Sequence, residues 1–136
     1  MDSITSPGTS VFSLCDHVRT AALDLHRHLR HGHLEKVYET GLAIRLRKQG
    51  LTVSVQYPIQ VRDADDSILG DYFADMVVEG QLILEIKAVR ALAPEHIAQL
   101  LGYLRAAGWE HGLLINFGAP RLEIRQLVLS RPGDPH

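Results

Sequence analysis

Residues 74–89, ADMVVEGQLILEIKAV, constrain this chain more than any other stretch. Two apolar runs flank Glu79-Gly80-Gln81, and both carry ionisable residues. Charges set among buried strand residues are costly unless something needs them there. Extended backbone sends successive side chains to opposite faces, so Glu85 and Lys87 share one face and Leu84 and Ile86 the other. The register of the hairpin then decides where Asp75 lies. A two-residue turn at Glu79-Gly80 sets Asp75 opposite Leu84, on the wrong face. A three-residue turn, Glu79-Gly80-Gln81, sets it opposite Glu85 and gathers two carboxylates and one ammonium. That turn needs the backbone freedom of Gly80 or a local bulge.

Such a trio suits phosphodiester hydrolysis. Two carboxylates bind a hard cation such as Mg²⁺, which retains waters and accepts phosphate oxygens. A lysine beside it can align or deprotonate a water, or stabilise the developing anion. The plainer alternative is a Glu–Lys pair on a solvated sheet face. Asp75, Glu85 and Lys87 alone leave both open.

The rest of the chain supplies a frame. Residues 11–30 carry Val11, Leu14, Val18, Ala22, Leu25 and Leu29 at helical spacing, and Gly32 breaks the pattern. A second helix is predicted over 34–49, with Gly50 as its C-cap. Strands are predicted over 52–61, 69–78 and 82–89, with Pro58 interrupting the first or marking it as an edge. Pro94 opens a helix to residue 107. Strands follow at 112–117 and 122–129. Helix, helix, three strands, helix, two strands is the order of an α/β domain with a mixed central sheet. Residues 11–130 are expected to form this one domain, between flexible tails at 1–10 and 131–136. A length of 136 residues is enough to bury a real core.

On the helix after the Lys87 strand, Ile97, Leu100, Leu101 and Leu104 make the core stripe. Gln99 and Tyr103 are four apart, so they share a face at the stripe's edge, with His96 on the same side. That face can pack beside the acids, where Gln99 and Tyr103 would meet a phosphate or a water. A surface glutamine and a half-buried core tyrosine are the alternative.

Charge is uneven. Residues 17–50 hold seven Lys/Arg against three Asp/Glu, residues 51–89 hold two against seven, and residues 90–131 hold five against three. An acidic middle between basic flanks fits a metal site beside a phosphate-binding surface, or simply an uneven solvated surface. Cys15 is the only cysteine, which excludes an internal disulfide and a cysteine-built metal site. His26, His28, His31 and His33 form a cluster, but two-residue spacing does not bring ligands together on a helix and no cysteine assists, so they are read as solvated or phosphate-facing rather than as a structural zinc site. No apolar run approaches the roughly 20 residues of a membrane span, and no leader is legible. A cytoplasmic location without a membrane partner is the expectation. No recognition helix, aromatic stacking platform or second domain is legible, and self-association is left open.

Asp75, Glu85-Ile86-Lys87 and Gln99-Leu100-Leu101-Gly102-Tyr103 follow a D…ExK…QxxxY order. This resembles the RecB-type and lambda-exonuclease-like members of the PD-(D/E)xK nuclease superfamily. Upstream, Gly32-His33-Leu34-Glu35-Lys36-Val37-Tyr38 is similar to the motif of the GxxExxY proteins, a branch of that superfamily. The similarity spans roughly residues 18–128. It implies a restriction-endonuclease-like core, a mixed sheet flanked by helices. It also implies roles. Asp75, Glu85 and the carbonyl of Ile86 would hold Mg²⁺, with Mn²⁺ as a substitute, and Glu35 would lie near it. Lys87 would be the catalytic lysine, and Gln99 and Tyr103 would contact phosphate or orient it. Gly32 would permit the sharp helix entry, and Tyr38 would brace Glu35 or simply pack. Ala74 stands where the superfamily's proline would be, a position many members vary. The implied activity is metal-dependent cleavage of DNA by an activated water. The alternative is a nucleic-acid-binding or scaffold module that keeps the fold without turnover.

Overall fold

Helix α1 (Val11–Leu29) begins on Ser10, whose Oγ accepts the Ser13 N–H at 3.1 Å. This satisfies one of the open donors of the first turn. Leu14, Val18, Ala22 and Leu25 recur at helical spacing and are buried. Helix α2 (Glu35–Lys48) buries Tyr38, Leu42 and Leu46, each four residues after the last. Between the helices, Gly32 adopts a φ of 116°, which a side chain would resist. The computed structural model describes residues 10–129. The expected tails lie outside the described residues, except for Ser10, which caps α1.

The remaining elements are β1 (Val53–Arg62), β2 (Ile68–Val78), β3 (Leu82–Lys87), α3 (Pro94–Ala107), β4 (His111–Asn116) and β5 (Glu123–Val128). The sheet order is β1-β2-β3-β4-β5. Only β3 and β4 run parallel; the other pairs are antiparallel, so the sheet is mixed as expected. Parallel neighbours need a crossover, and α3 supplies it. Pro58 sits inside β1 without breaking it. β1 is an edge strand, where a missing N–H costs no ladder bond on the open side. β3 is predicted to residue 89 but ends at Lys87. Val89 has left the ladder and donates its N–H to Asn116 Oδ1 at 2.9 Å.

The sheet separates two cores. Leu84 and Ile86 pack with α1 and α2, while Ile83 and Leu114 pack with Leu100 and Leu104 of α3. One irregularity positions the functional residues. In β1, Val53 belongs to the α1–α2 core, whereas Tyr57 and Ile59 pack in the α3 core. All three are odd-numbered, so strict alternation would put them on one face. The switch falls at Gln56, which has a φ of 50° and drops out of the β1–β2 register between Val55 and Tyr57. β2 switches at the same level: Ala74 lies in the α3 core, and Met76 in the other. Asp75 is the residue at which the alternation resets. Before it, β2 pairs with β1 alone, and this two-stranded arm curls over α3.

Candidate active site

β2 and β3 pair as Met76–Leu84, Val77–Ile83 and Val78–Leu82, so the connection is the three-residue turn Glu79-Gly80-Gln81. Glu79 and Gly80 take φ values of 54° and 63°, the left-handed freedom this turn demands. The same register carried one step further brings Asp75 beside Glu85. The ladder has ended there, so backbone donors turn to side chains. Glu85 Oε2 accepts the Asp75 N–H at 2.8 Å, and Asp75 Oδ2 accepts the Ile86 N–H at 2.7 Å. Each carboxylate is thus clamped by the other strand's backbone, and its second oxygen is left for a ligand.

Burial makes these charges expensive. Glu85 is 4% exposed. Its pKa is pushed up to about 8, mainly by burial and next by the Asp75 charge. Asp75 is pushed to about 6, again chiefly by burial, opposed by the Ile86 N–H and reinforced by the charges of Glu39 and Glu35. Lys87 Nζ donates to Gln99 Oε1 at 2.9 Å, so β3 and α3 are tied at the site. The Tyr103 hydroxyl is held above its ordinary pKa, first by burial and then by the charges of Glu85 and Asp75. It therefore stays a protonated donor.

Asp75, Glu85, Lys87, Gln99 and Tyr103 come together, and Glu35 lies at the rim. Glu35 is exposed at the first position of α2, and its charge reaches both acids. Among the described residues, no group of three or more His, Cys, Asp or Glu side chains is gathered to hold an ion. Ile86 buries its side chain in the α1–α2 core. His96 uses Nδ1 to accept the Ala93 N–H at 3.0 Å and caps α3. Tyr38 packs and braces the α1–α2 loop. Its ring stacks on Phe117 at 4.7 Å, and its hydroxyl donates to the Arg30 carbonyl and accepts the His33 N–H. His26 is buried, with Nε2 3.0 Å from the Ala119 carbonyl oxygen, whereas His28, His31 and His33 are exposed.

Three residues escape the sequence analysis. Glu39, one turn beyond Glu35, is 4% exposed and receives Lys36 Nζ at 3.3 Å and Gln56 Nε2 at 3.1 Å. Its position within the Tyr38–Leu42 apolar stripe is the signal that could have revealed it. Gln56 carries no such signal. Asn116 is fully buried and bonds both the N–H and the carbonyl of Val89, the Gly118 N–H and Glu123. It anchors the backbone just past Lys87. A Cβ on Gly118 would meet the Val89 nitrogen at 2.3 Å, so the two chain segments touch backbone to backbone there.

The sequence profile of the PD-(D/E)XK nuclease superfamily matches residues 13–127. The chain belongs to the PD-(D/E)XK nuclease superfamily. Its mixed sheet with flanking helices is the restriction-endonuclease-like core of these proteins. The crystal structure of SSO0001 superposes with a TM-score of 0.57 over 68% of this chain, at 18% sequence identity. The match covers 48% of SSO0001, so this chain spans about half that protein's length, and the likeness is one of fold. No curated protein matches significantly. PD-(D/E)XK nucleases generally use divalent metals, and the Asp75–Glu85 pair fits that use. It offers hard oxygen donors, and its burial and mutual repulsion, visible in both raised pKa values, are relieved by a cation. Among the described residues, no helix is long and apolar enough to cross a membrane.

Proposed function

We propose that the protein is a nuclease that hydrolyses phosphodiester bonds, of DNA in the first instance, with Mg²⁺ as cofactor and Mn²⁺ as substitute. The observation that carries this is the reciprocal clamp between Asp75 and Glu85, with Lys87 held beside them by Gln99. Asp75, Glu85 and the Ile86 carbonyl would hold the cation, and Glu35 would contribute charge from the rim. When bound, the cation supplies positive charge for phosphate oxygens and acidifies a water. Lys87 orients the attacking water and steadies the negative charge on the phosphoryl oxygens. Gln99 fixes the Lys87 ammonium, and the Tyr103 hydroxyl donates to a phosphate oxygen.

Labelled linear, circular and single-stranded DNA, incubated with the purified protein and Mg²⁺, Mn²⁺ or EDTA, test this. Cleavage is expected with either metal and not with EDTA. Lys87→Ala should abolish it while leaving DNA affinity within a few fold, because the lysine acts on the transition state more than on binding. Strong DNA binding without cleavage under any metal would replace the enzyme with a binding module of the same fold.

A further inference from the structure

A groove lies between the β1–β2 arm and α3. Its larger part, about 830 Å³, is bordered by residues 57–62 of β1 and by Gly102, Arg105 and Trp109 on the other side. Its smaller part, about 350 Å³, is bordered by Val61, Tyr72, Gln99, Gly102 and Tyr103. Val61 and Gly102 border both, so the two parts adjoin. The smaller end reaches Gln99, the acceptor of the Lys87 ammonium. The groove therefore borders the candidate active site at Gln99 and Tyr103.

Its walls carry two ring pairs. Tyr57 and Trp109 lie 5.4 Å apart, and Tyr72 and Tyr103 5.6 Å apart. Tyr72 is 50% exposed, a large aromatic surface left in water, while Tyr57, Tyr103 and Trp109 are half-buried against the α3 core and show the groove only part of each ring. Arg62 and Arg105 stand along the groove against one acid, Asp71. Arg62 bonds the Asp66 carbonyl and the Gln60 side chain and lies next to the acidic turn Asp63–Asp66, so Arg105 is the groove cation set apart from that turn. Arginine charge beside exposed aromatic faces is the chemistry that holds unpaired nucleotides: phosphates meet the cations, and bases stack on the rings. Bases inside a duplex already spend both faces on their neighbours.

We propose that this groove binds a single-stranded nucleic-acid segment and leads it to the acid pair, with Tyr72 and Trp109 as stacking surfaces. The direction of the strand rests on the nuclease reading; the binding does not. Trp109 is the chain's only tryptophan, so its emission reports the groove directly. The full chain, in EDTA to prevent turnover, is titrated with an oligothymidylate strand and with a blunt duplex of equal length. The strand should quench Trp109 and bind about tenfold tighter than the duplex. Gly102 gives a clean block, because a Cβ there meets nothing within 4 Å. Gly102→Glu should keep the wild-type melting temperature and weaken strand binding by at least about tenfold, and Tyr72→Leu by about fivefold or more. Gly102→Ala should stay within about twofold of wild type, since a methyl fills little of the groove. Equal binding of duplex and strand, no quench of Trp109, or undiminished binding by a folded Gly102→Glu overturns the proposal. Cleavage without the quench sinks the groove alone, and the quench without cleavage sinks the nuclease alone.

Discussion

Glu85 and Asp75 each use one oxygen on the other's strand, and each is held above its ordinary pKa. The folded protein therefore keeps protons that the unfolded chain releases above about pH 4. Stability from these groups is fully present below that pH and is lost as pH rises through about 6 for Asp75 and about 8 for Glu85. Without metal, a rise from about pH 5 to about pH 8.5 should cost on the order of 5 kcal/mol, or roughly 15 °C of melting temperature. Glu85→Gln keeps an oxygen to accept the Asp75 N–H and removes the charge. It should flatten most of this slope and melt higher than wild type at the alkaline end. Thermal melts across pH in EDTA measure both. A wild-type melting temperature that stays level or rises over this range would refute the strained acid pair.

At the scale of elements, the face switch at Gln56 and Asp75 joins the regular sheet to the arm that curls over α3. Gln56 holds a left-handed backbone, and its amide donates to the buried Glu39. Two costs can therefore be separated. Gln56→Ala should lose the Glu39 bond and keep the backbone strain, lowering stability by about 1–2 kcal/mol. Gln56→Gly loses the same bond but relaxes the strain, so it should be more stable than Gln56→Ala by about 1 kcal/mol. Denaturant melts of the two variants decide this; an alanine variant at least as stable as the glycine variant would mean that the switch is unstrained. The turn at Gly80 was legible because two apolar runs flank it. The switch was not, because Gln56 looks like any other polar strand residue and its role depends on Glu39, 17 residues away.

For the molecule as a whole, the two acids trade stability against ligand binding. A cation that binds the folded site and not the unfolded chain stabilises by about 2.7 kcal/mol at a hundredfold excess over its Kd. Millimolar Mn²⁺ or Mg²⁺ should thus raise the melting temperature in a concentration-dependent way. Asp75→Asn retains an oxygen for the Ile86 N–H, should melt higher than wild type without metal near pH 8, and should lose most of the metal response. A thermal-shift titration reads both effects. A metal response of equal size in wild type and Asp75→Asn would show that these carboxylates share no cation.

Local sequence was enough for the element order and the mixed sheet, which depend on period and turn signals, all short-range. It narrowed the hairpin to two registers, and the three-residue turn that sets Asp75 beside Glu85 is seen in the fold. It was also enough to set Gln99 and Tyr103 on one face of α3, since four residues make about one helical turn. Only the tertiary structure decided that Glu39 lies buried beside the site while Glu35 stays at its rim, because helix rotation against the sheet is set by packing. Only it decided that His96 caps a helix, where its ring accepts the Ala93 N–H. The aromatic groove shows the same limit most clearly. Tyr57 meets Trp109, and Tyr72 meets Tyr103, across a β-arm and a helix that are far apart in the chain. No stacking surface was legible along the sequence, because rings become neighbours only when the arm, redirected at Gln56 and Asp75, folds back over α3.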